Sequence, residues 1–336
     1  MRTVILEEHF SLPAASARVD KAVIARRGYK ARALRKDMPN PLSLLPDLGE
    51  ERLKSMDEAG ITVEVLSNSG PGPDLVPGPD GVAMAREIND HLAKACAKYP
   101  ARFAGFASLP MQSPDAAAKE LARTVKELGF VGAMVNGTTE GKFLDDPSYD
   151  GILAAAEELD VPVYIHPTTP PRSMIGPFLE RGLDGAIFGF AVETGLHLLR
   201  VIVSGVFDRF PKLRIVVGHL GEGLPYWLFR IDFMHRAMVT ANRYASVQKL
   251  KKQPSDYIKE NVYVTTSGMA WQPPILYAQS VLGMDRVLYA MDYPYQFVPE
   301  EVQVTDHLPI SDSDKKKLYQ TNAERVFALG TAIAAG

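Results

Sequence analysis

The chain has 336 residues, 46% of them hydrophobic and 23% charged, which is the composition of a soluble globular protein with a substantial core. Its net charge of −3 and isoelectric point near 6.2 give no basis for binding nucleic acid or an anionic membrane. The single cysteine, Cys96, excludes an intrachain disulfide, and no signal-peptide core follows the N-terminus. We therefore expect a cytoplasmic protein.

Eight short apolar segments recur along the chain, and helical patterns lie between them. The predicted strands are 3–6, 61–68, 102–110, 129–137, 161–167, 213–222, 261–269 and 286–294. Most are continuously apolar, which is typical of parallel strands buried on both faces. The amphipathic patterns predict helices over 80–99, 114–128, 148–159 and 223–246.

This alternation predicts an α/β fold, a (β/α)₈ TIM barrel that forms one domain over residues 1–336. A doubly wound parallel sheet is the alternative, but no glycine-rich phosphate-binding motif follows any strand. The apolar stretch 185–207 carries Glu193, His197 and Arg200, so it predicts a buried helix or a subunit interface and not a membrane span.

An inserted segment, about 11–47, follows the first strand and departs from this plan. A connection of this length is usually a lid, an interface or a disordered stretch. Residues 18–36 are locally basic, with the cations Arg18, Lys21, Arg26, Arg27, Lys30, Arg32, Arg35 and Lys36. The segment is either a solvated helix face or a cationic cover over a site for an anionic substrate.

Acids and histidines collect at the carboxyl ends of the predicted strands, where TIM barrels carry their active sites. Glu7 and His9 are two residues apart, so an extended strand points them to one side and Glu8 to the other. His166 and Asp292 end the fifth and eighth strands. Two imidazoles and two carboxylates suit one divalent ion, Mn²⁺ or Zn²⁺, with Mg²⁺ as a further option, and a bound cation makes buried acids tolerable.

A second histidine motif lies at the end of the sixth strand. His219 is flanked by Gly218 and Gly221, and Glu222 lies three residues later, where its carboxylate can hold the imidazole tautomer. The pattern predicts a polar clamp or proton handler beside the metal. The alternatives are a further metal ligand and a core histidine bonded to a backbone carbonyl.

Other polar residues are candidates for substrate contact. Arg230, on the following helix, predicts a partner for a substrate carboxylate, with a surface ion pair to Asp232 or another acid as the alternative. Asn68, Asn136 and Ser267, at the ends of strands two, four and seven, predict pocket lining. Cys96 is interpreted as an inert helical thiol, and no Gly-x-Ser-x-Gly motif supports a serine hydrolase.

The motifs together resemble a known family. "LEEHF", "VYIHP", "VGHLGEGLPYW", "TTSGM", "MDYPY" and "NAERVF" extend to about residue 329 and resemble the amidohydrolase superfamily, in particular its non-oxidative hydroxybenzoate decarboxylase branch. The resemblance implies that Glu7, His9, His166 and Asp292 bind the metal, that His219 and Glu222 form the catalytic pair, and that Arg230 supports them. Glu7 replaces the first histidine of the His-x-His motif in the superfamily's hydrolases, which favours decarboxylation.

The implied activity is a carboxy-lyase, a metal-dependent and reversible decarboxylation of a hydroxybenzoate-type acid in aromatic catabolism. Our hypothesis is that Asp292 protonates the carboxylate-bearing ring carbon while the metal orients the ortho hydroxyl and the carboxylate. The alternatives are a metal-dependent hydrolase of a lactone or amide, a hydratase, and a catalytically silent binding module. The resemblance also implies a homodimer or homotetramer that acts on a small aromatic carboxylate, with no nucleic-acid or membrane partner.

Overall fold

Nine parallel strands form the centre of the computed structural model, which describes residues 1–26, 40–296 and 300–329. The strands are β1 (Val4–Phe10), β2 (Val63–Asn68), β3 (Phe103–Gly105), β4 (Ala107–Ser108), β5 (Ala133–Asn136), β6 (Val163–His166), β7 (Ile215–Val217), β8 (Val262–Thr265) and β9 (Val287–Leu288). Almost every strand residue is buried, as the continuous apolar runs predict.

The strands pair in two runs, β1–β2–β3 and β4 to β9, that join at both ends. Only Phe106 separates β3 from β4, and its N–H donates to the carbonyl of Leu66 (2.8 Å). At the other junction Leu6 pairs with Ala290 and donates its N–H to the carbonyl of Tyr289 (3.2 Å). These contacts close the ring, with β3 and β4 together forming the third of the eight predicted strands. The predicted barrel is confirmed.

Helices follow the strands and cover the outside of the ring. They are α1 (Pro13–Ser16), α2 (Lys21–Arg26), α3 (Pro41–Leu44), α4 (Glu50–Glu58), α5 (Gly78–Lys98), α6 (Pro114–Leu128), α7 (Asp150–Glu158), α8 (Gly176–Leu179), α9 (Gly189–Val203), α10 (Val206–Arg209), the single turn α11 (His219–Glu222), α12 (Leu224–Thr240), α13 (Pro254–Asn261), α14 (Gln272–Leu282), α15 (Glu301–Asp306), α16 (Asp312–Lys316) and α17 (Asn322–Val326). Within the described ranges, no helix combines the length and the apolarity that crossing a membrane requires.

Several predicted elements end earlier than expected, and one further element divides. The sixth strand ends at Val217 rather than at 222, and the helix predicted over 223–246 ends at Thr240. The apolar stretch 185–207 divides into α9 and α10 at Gly205, whose φ of 74° lies in the left-handed region. Leu198 and Val201 of α9 are buried by the chain itself, as a buried helix requires, and a subunit interface over this stretch stays a prediction.

The hydrophobic core has two layers, one inside the ring and one between the ring and the helices. Alternate strand residues such as Val4, Val65 and Val216 fill the interior, and Phe327, just after α17, packs against Phe106 at the amino-terminal end of the barrel. The neighbouring strand residues, such as Ile5, face the helices. Because the interior is filled from the amino-terminal end, a site is left at the carboxyl ends of the strands.

The inserted segment is described in part, as α1, α2 and α3. Among its cations, Arg18 forms an exposed ion pair with Glu87 of α5. Lys21 and Arg26 begin and end α2. The other predicted cations, Arg27, Lys30, Arg32, Arg35 and Lys36, lie outside the described residues.

A wholly buried arginine ties the first two strands together. Arg52 of α4 has no exposed surface, and its Nε donates to Glu64 Oε2 of β2 at 2.5 Å. Its Nη1 donates to the carbonyl of His9 at 2.8 Å, and its guanidinium lies 4.5 Å from the ring centre of Tyr293. Burial raises the pKa of Glu64, and the charge of Arg52 opposes that rise. Arg52 therefore neutralises a buried acid and also holds the end of β1.

We predict that Arg52→Met lowers the free energy of unfolding by about 3–5 kcal/mol, because it leaves the Glu64 carboxylate buried without a partner. Lys54→Met, which removes the exposed pair with Glu58 on the same helix, is the control and should change stability by less than about 1 kcal/mol. Urea unfolding of both variants measures the difference. Equal losses in the two variants would contradict the role given to Arg52.

Candidate active site and metal centre

Four side chains from separate parts of the chain converge at the carboxyl ends of the strands. Glu7 and His9 come from β1, His166 from the end of β6, and Asp292 from the segment after β9. One donor atom of each lies within 4.8 Å of the donor atoms of the others. His9 Nε2 is 3.3 Å from Asp292 Oδ1, and His166 Nε2 is 3.6 Å from Glu7 Oε1. The structure thus brings together the four predicted ligands.

The backbone of β1 is irregular at this site, whereas we predicted a regular strand. Glu7 is not extended, because its φ is 66°, and the pairing of β1 with β2 shifts register between Ile5 and Glu8. Asp292 is also left-handed, with φ of 67°. An irregularity in the strand therefore points Glu7 to the same site as His9, whereas we predicted simple alternation.

Glu7 is completely buried, and its two carboxylate oxygens have different surroundings. The hydroxyl groups of Tyr164 and Thr265 donate to Oε2. Oε1 has no hydrogen-bond partner among the described residues and faces the histidines. A Cβ atom on Gly218 would lie 2.7 Å from Oε2, so glycine leaves the space that this carboxylate occupies. An acid with one unsatisfied oxygen in a dry site fits a metal ligand.

The two histidines of the cluster are held in the form that binds a metal. Burial, more than any other influence, lowers the pKa of His9 to about 4 and that of His166 to about 3, so both are neutral near pH 7. Ser67 Oγ donates to the carbonyl of Glu8 (3.3 Å) and lies 3.0 Å from His9 Nδ1. With Nδ1–H donating to Ser67, the lone pair of His9 is on Nε2, the atom that faces Asp292.

His219 lies beside the cluster and is surrounded by carboxylates. Burial lowers its pKa, but the carboxylates of Glu222, Glu7 and Asp292 outweigh burial and raise the pKa to about 10. Its Nδ1 is 2.6 Å from Glu222 Oε1, and its Nε2 is 3.9 Å from Glu7 Oε1. Its partner is a carboxylate and not a backbone carbonyl, and it is not among the four clustered donors. This geometry is the one expected if His219 acts as a polar clamp beside the metal.

The predicted pocket-lining residues differ in their surroundings. Asn68 Oδ1 and Ser267 Oγ are buried and have no hydrogen-bond partner among the described residues, as expected of groups that await a ligand. Asn136 pairs in register with His166. On β2, however, the side chain that contacts His9 is Ser67 and not its neighbour Asn68.

Arg230 is exposed on α12 and forms no ion pair with any described residue. Its expected alternative partner, Asp232, instead accepts hydrogen bonds from the N–H and the hydroxyl of Ser255. A substrate contact for Arg230 therefore stays a prediction.

Sequence reasoning missed two aromatic residues of the site. Tyr164 precedes His166 by two residues on β6, so strand alternation places both side chains on the same face. This spacing could have identified Tyr164 from the sequence. The ring centre of Tyr295 lies 5.6 Å from that of His9, and its hydroxyl is 2.5 Å from Ser69 Oγ. It lies in the loop after β9, for which the sequence offers no periodicity.

A cavity of about 970 Å³ borders the loop that follows His166, and Thr168, Thr169 and Arg172 contribute to its wall. It is large enough for a small aromatic acid. Cys96 takes no part in the site, and burial raises the pKa of its thiol to about 12, in agreement with an inert thiol.

Comparison with known proteins identifies the class to which this fold and site belong. The amidohydrolase family model matches residues 9–329, so this chain belongs to the amidohydrolase family. The γ-resorcylate decarboxylase of Rhizobium sp. (strain MTP-10005) is 38% identical over 98% of this chain and 99% of its own. The predicted family is confirmed.

The solved structures that are similar to this chain include further decarboxylases. A 5-carboxyvanillate decarboxylase from Novosphingobium aromaticivorans, complexed with manganese and 4-hydroxy-3-methoxy-5-nitrobenzoic acid, is 45% identical, with a TM-score of 0.91 over 97% of this chain and 96% of that one. A dihydroxybenzoic acid decarboxylase from Polaromonas sp. JS666, with bound manganese and the inhibitor 2-nitroresorcinol, is 36% identical, with a TM-score of 0.86 over 98% and 97% of the two chains.

We predict that Gly218→Ala weakens Mn²⁺ binding by about 10–100-fold, because the added methyl group displaces the Glu7 carboxylate. The backbone of Gly218 has φ of −71°, which alanine adopts without strain, so the effect is steric and local. Gly151→Ala is the control, because a Cβ on Gly151 meets no atom within 4 Å. Calorimetric titration with Mn²⁺ compares the two, and equal affinities would contradict the placement of Glu7.

Proposed function

We propose that this protein is a metal-dependent, non-oxidative decarboxylase of a hydroxybenzoate-type acid, acting as one barrel domain with an insertion after β1. The observation that carries the proposal is the cluster of Glu7, His9, His166 and Asp292 with one unsatisfied carboxylate oxygen. Full-length decarboxylase relatives at 35–45% identity support a carboxy-lyase over the hydrolase and hydratase alternatives. The cofactor is one divalent ion, and the manganese in the neighbouring structures favours Mn²⁺ among the predicted ions.

The residues of the site divide the chemistry between them. The bound ion supplies positive charge that orients an ortho hydroxyl and carboxylate pair. Asp292 takes up the proton of that hydroxyl and delivers it to the ring carbon that carries the carboxylate. A C–H bond forms at this carbon, the C–C bond to the carboxylate breaks, and its electron pair returns to the ring as CO₂ leaves.

His219 contributes in its protonated form. Its Nδ1–H is held by Glu222, which leaves Nε2–H to donate toward the oxygens of the substrate. A fixed positive donor stabilises negative charge that develops on those oxygens, and the buried site strengthens the interaction. We assign Asn68, Asn136 and Ser267 to the pocket wall, with Arg230 as a further predicted contact for the substrate carboxylate.

The first test is the reaction itself. Purified protein loaded with Mn²⁺ is offered 5-carboxyvanillate, 2,6-dihydroxybenzoate, 2,3-dihydroxybenzoate and salicylate, and absorbance loss is followed together with CO₂ release. We expect at least one acid to be decarboxylated, a chelator to stop the reaction, and Mn²⁺ to restore it. A protein that binds one equivalent of metal and consumes none of the acids would instead favour the hydrolase or hydratase alternative.

We predict that Asp292→Asn lowers kcat by about 10²–10⁴-fold even when saturating Mn²⁺ restores full metal occupancy, because an amide cannot carry the proton. Asp285→Asn is the control, since Asp285 pairs with Lys317 on the surface and its side chain is 61% exposed. Metal content is measured beside the rate. Turnover retained by the metal-replete Asp292→Asn protein would exclude Asp292 as the proton donor.

The proposal includes a cytoplasmic homodimer or homotetramer. The lone cysteine is consistent with a reducing compartment. On α12, Tyr226, Trp227, Phe229 and Phe233 expose aromatic rings, and Tyr277 of α14 extends this surface, which we call the aromatic face. Exposed apolar patches of this kind mark interfaces, and a second copy of the chain is the occupant that the family resemblance implies.

Light scattering at micromolar concentration tests the assembly. We expect a mass of two or four chains for the protein and a smaller mass for Phe229→Glu, because Phe229 is 84% exposed on the aromatic face. Leu42→Glu, an exposed apolar residue on α3, should leave the mass unchanged. A monomeric protein would exclude the proposed interface.

A further inference from the structure

We propose that Glu8, which lies between two of the metal-binding residues, is a positioning residue that fixes the turn carrying Asp292. It is not among the four clustered donors, and we give it no part in metal binding. The inference rests on the proposed metal site and adds to it the means by which β1 holds the fourth ligand.

The contacts of Glu8 are with the backbone on both sides of Asp292. Its Oε1 accepts a hydrogen bond from the N–H of Met291 at 3.0 Å, and its Oε2 accepts one from the N–H of Tyr293 at 2.8 Å. In the opposite direction, the N–H of His9 donates to the carbonyl of Tyr293 at 2.8 Å. Glu8 has no exposed surface. Three hydrogen bonds therefore connect β1 to the two neighbours of Asp292.

A carboxylate suits this position because the backbone hydrogen bonds between β9 and its neighbouring strand end before Met291. The strand β9 stops at Leu288, so the N–H groups of Met291 and Tyr293 need other acceptors in a buried region. One carboxylate presents two acceptor oxygens, and each accepts from one of two N–H groups that are two residues apart. An amide in its place would turn an N–H₂ donor toward one of these N–H groups.

The turn needs this support because its geometry is strained. Asp292 has φ of 67°, a conformation that costs a non-glycine residue about 1–3 kcal/mol and persists only where surrounding contacts impose it. Arg52 holds the same region from the outside, through the carbonyl of His9 and the ring of Tyr293. With Glu8 removed, the strained turn can relax, and the 3.3 Å approach of Asp292 Oδ1 to His9 Nε2 is lost.

The test compares Glu8→Gln with Glu120→Gln. Glu120 is the matched control because its side chain is also buried (3% exposed) and accepts hydrogen bonds from Asn89 and Arg123, but on α6, away from the site. Three quantities are measured on each protein: the thermal unfolding midpoint, the Kd for Mn²⁺, and amide hydrogen exchange in a peptide that covers residues 289–296.

We expect both variants to unfold at a lower temperature. Only Glu8→Gln should raise the Kd for Mn²⁺, by about 10–100-fold, and speed exchange at the amides of 291 and 293, by about tenfold. Wild-type affinity and exchange in a folded Glu8→Gln protein would overturn the proposal. An equal loss of Mn²⁺ affinity in Glu120→Gln would also overturn it, because the effect would then be one of general stability.

The wild-type protein provides a test that does not depend on a variant that folds. Hydrogen exchange on the metal-free protein should show that the amides of 291 and 293 are protected, and exchange as fast as in exposed loops would overturn the proposal. A wild-type protein that binds no Mn²⁺ would refute the proposed metal site, and the exchange result would still decide whether Glu8 holds the turn.

Discussion

The burial of the Glu7 carboxylate is the constraint on which the rest of the site depends. A charge removed from water needs compensation, and the chain satisfies only one of the two oxygens, with the hydroxyl groups of Tyr164 and Thr265. The other oxygen faces the imidazoles of His166 and His219. A divalent ion completes this arrangement, which explains why a core strand ends in acids and a histidine.

The same constraint shapes the backbone. In the described ranges, nine residues other than glycine have a positive φ, and five of them are Glu7, His219, Leu220, Glu222 and Asp292. Strain concentrated in this way at one place is typical of functional sites, where the surrounding structure imposes it. Here the surrounding structure includes Glu8, which bonds the N–H groups on either side of Asp292, and the glycines on either side of His219.

Sequence patterns were sufficient for the barrel and for the convergence of Glu7, His9, His166 and Asp292, because strand ends and hydrophobic runs are local properties. They were insufficient where a role depends on a partner far along the chain. Glu8 bonds residues 291 and 293, and Tyr164 bonds Glu7, contacts that no local periodicity encodes. Strand alternation predicted that Glu7 and His9 converge, yet an irregular, left-handed Glu7 produces the convergence. Apolarity alone also left both a buried helix and a subunit interface open for 185–207, because it does not distinguish a face buried by its own chain from an exposed one.

The irregular backbone at Glu7 and Asp292 has a consequence for protein engineering. The short motifs that carry these residues are not portable units, since a regular strand with Leu6 in the barrel interior would turn both Glu7 and His9 to the outer face. A transplant into a different scaffold has to include the register shift in β1, the acceptor pair on Glu8 and the space above Gly218. The irregular part of the site therefore depends on how the first and last strands meet, and a transplant has to supply His166 from β6 in addition to that seam.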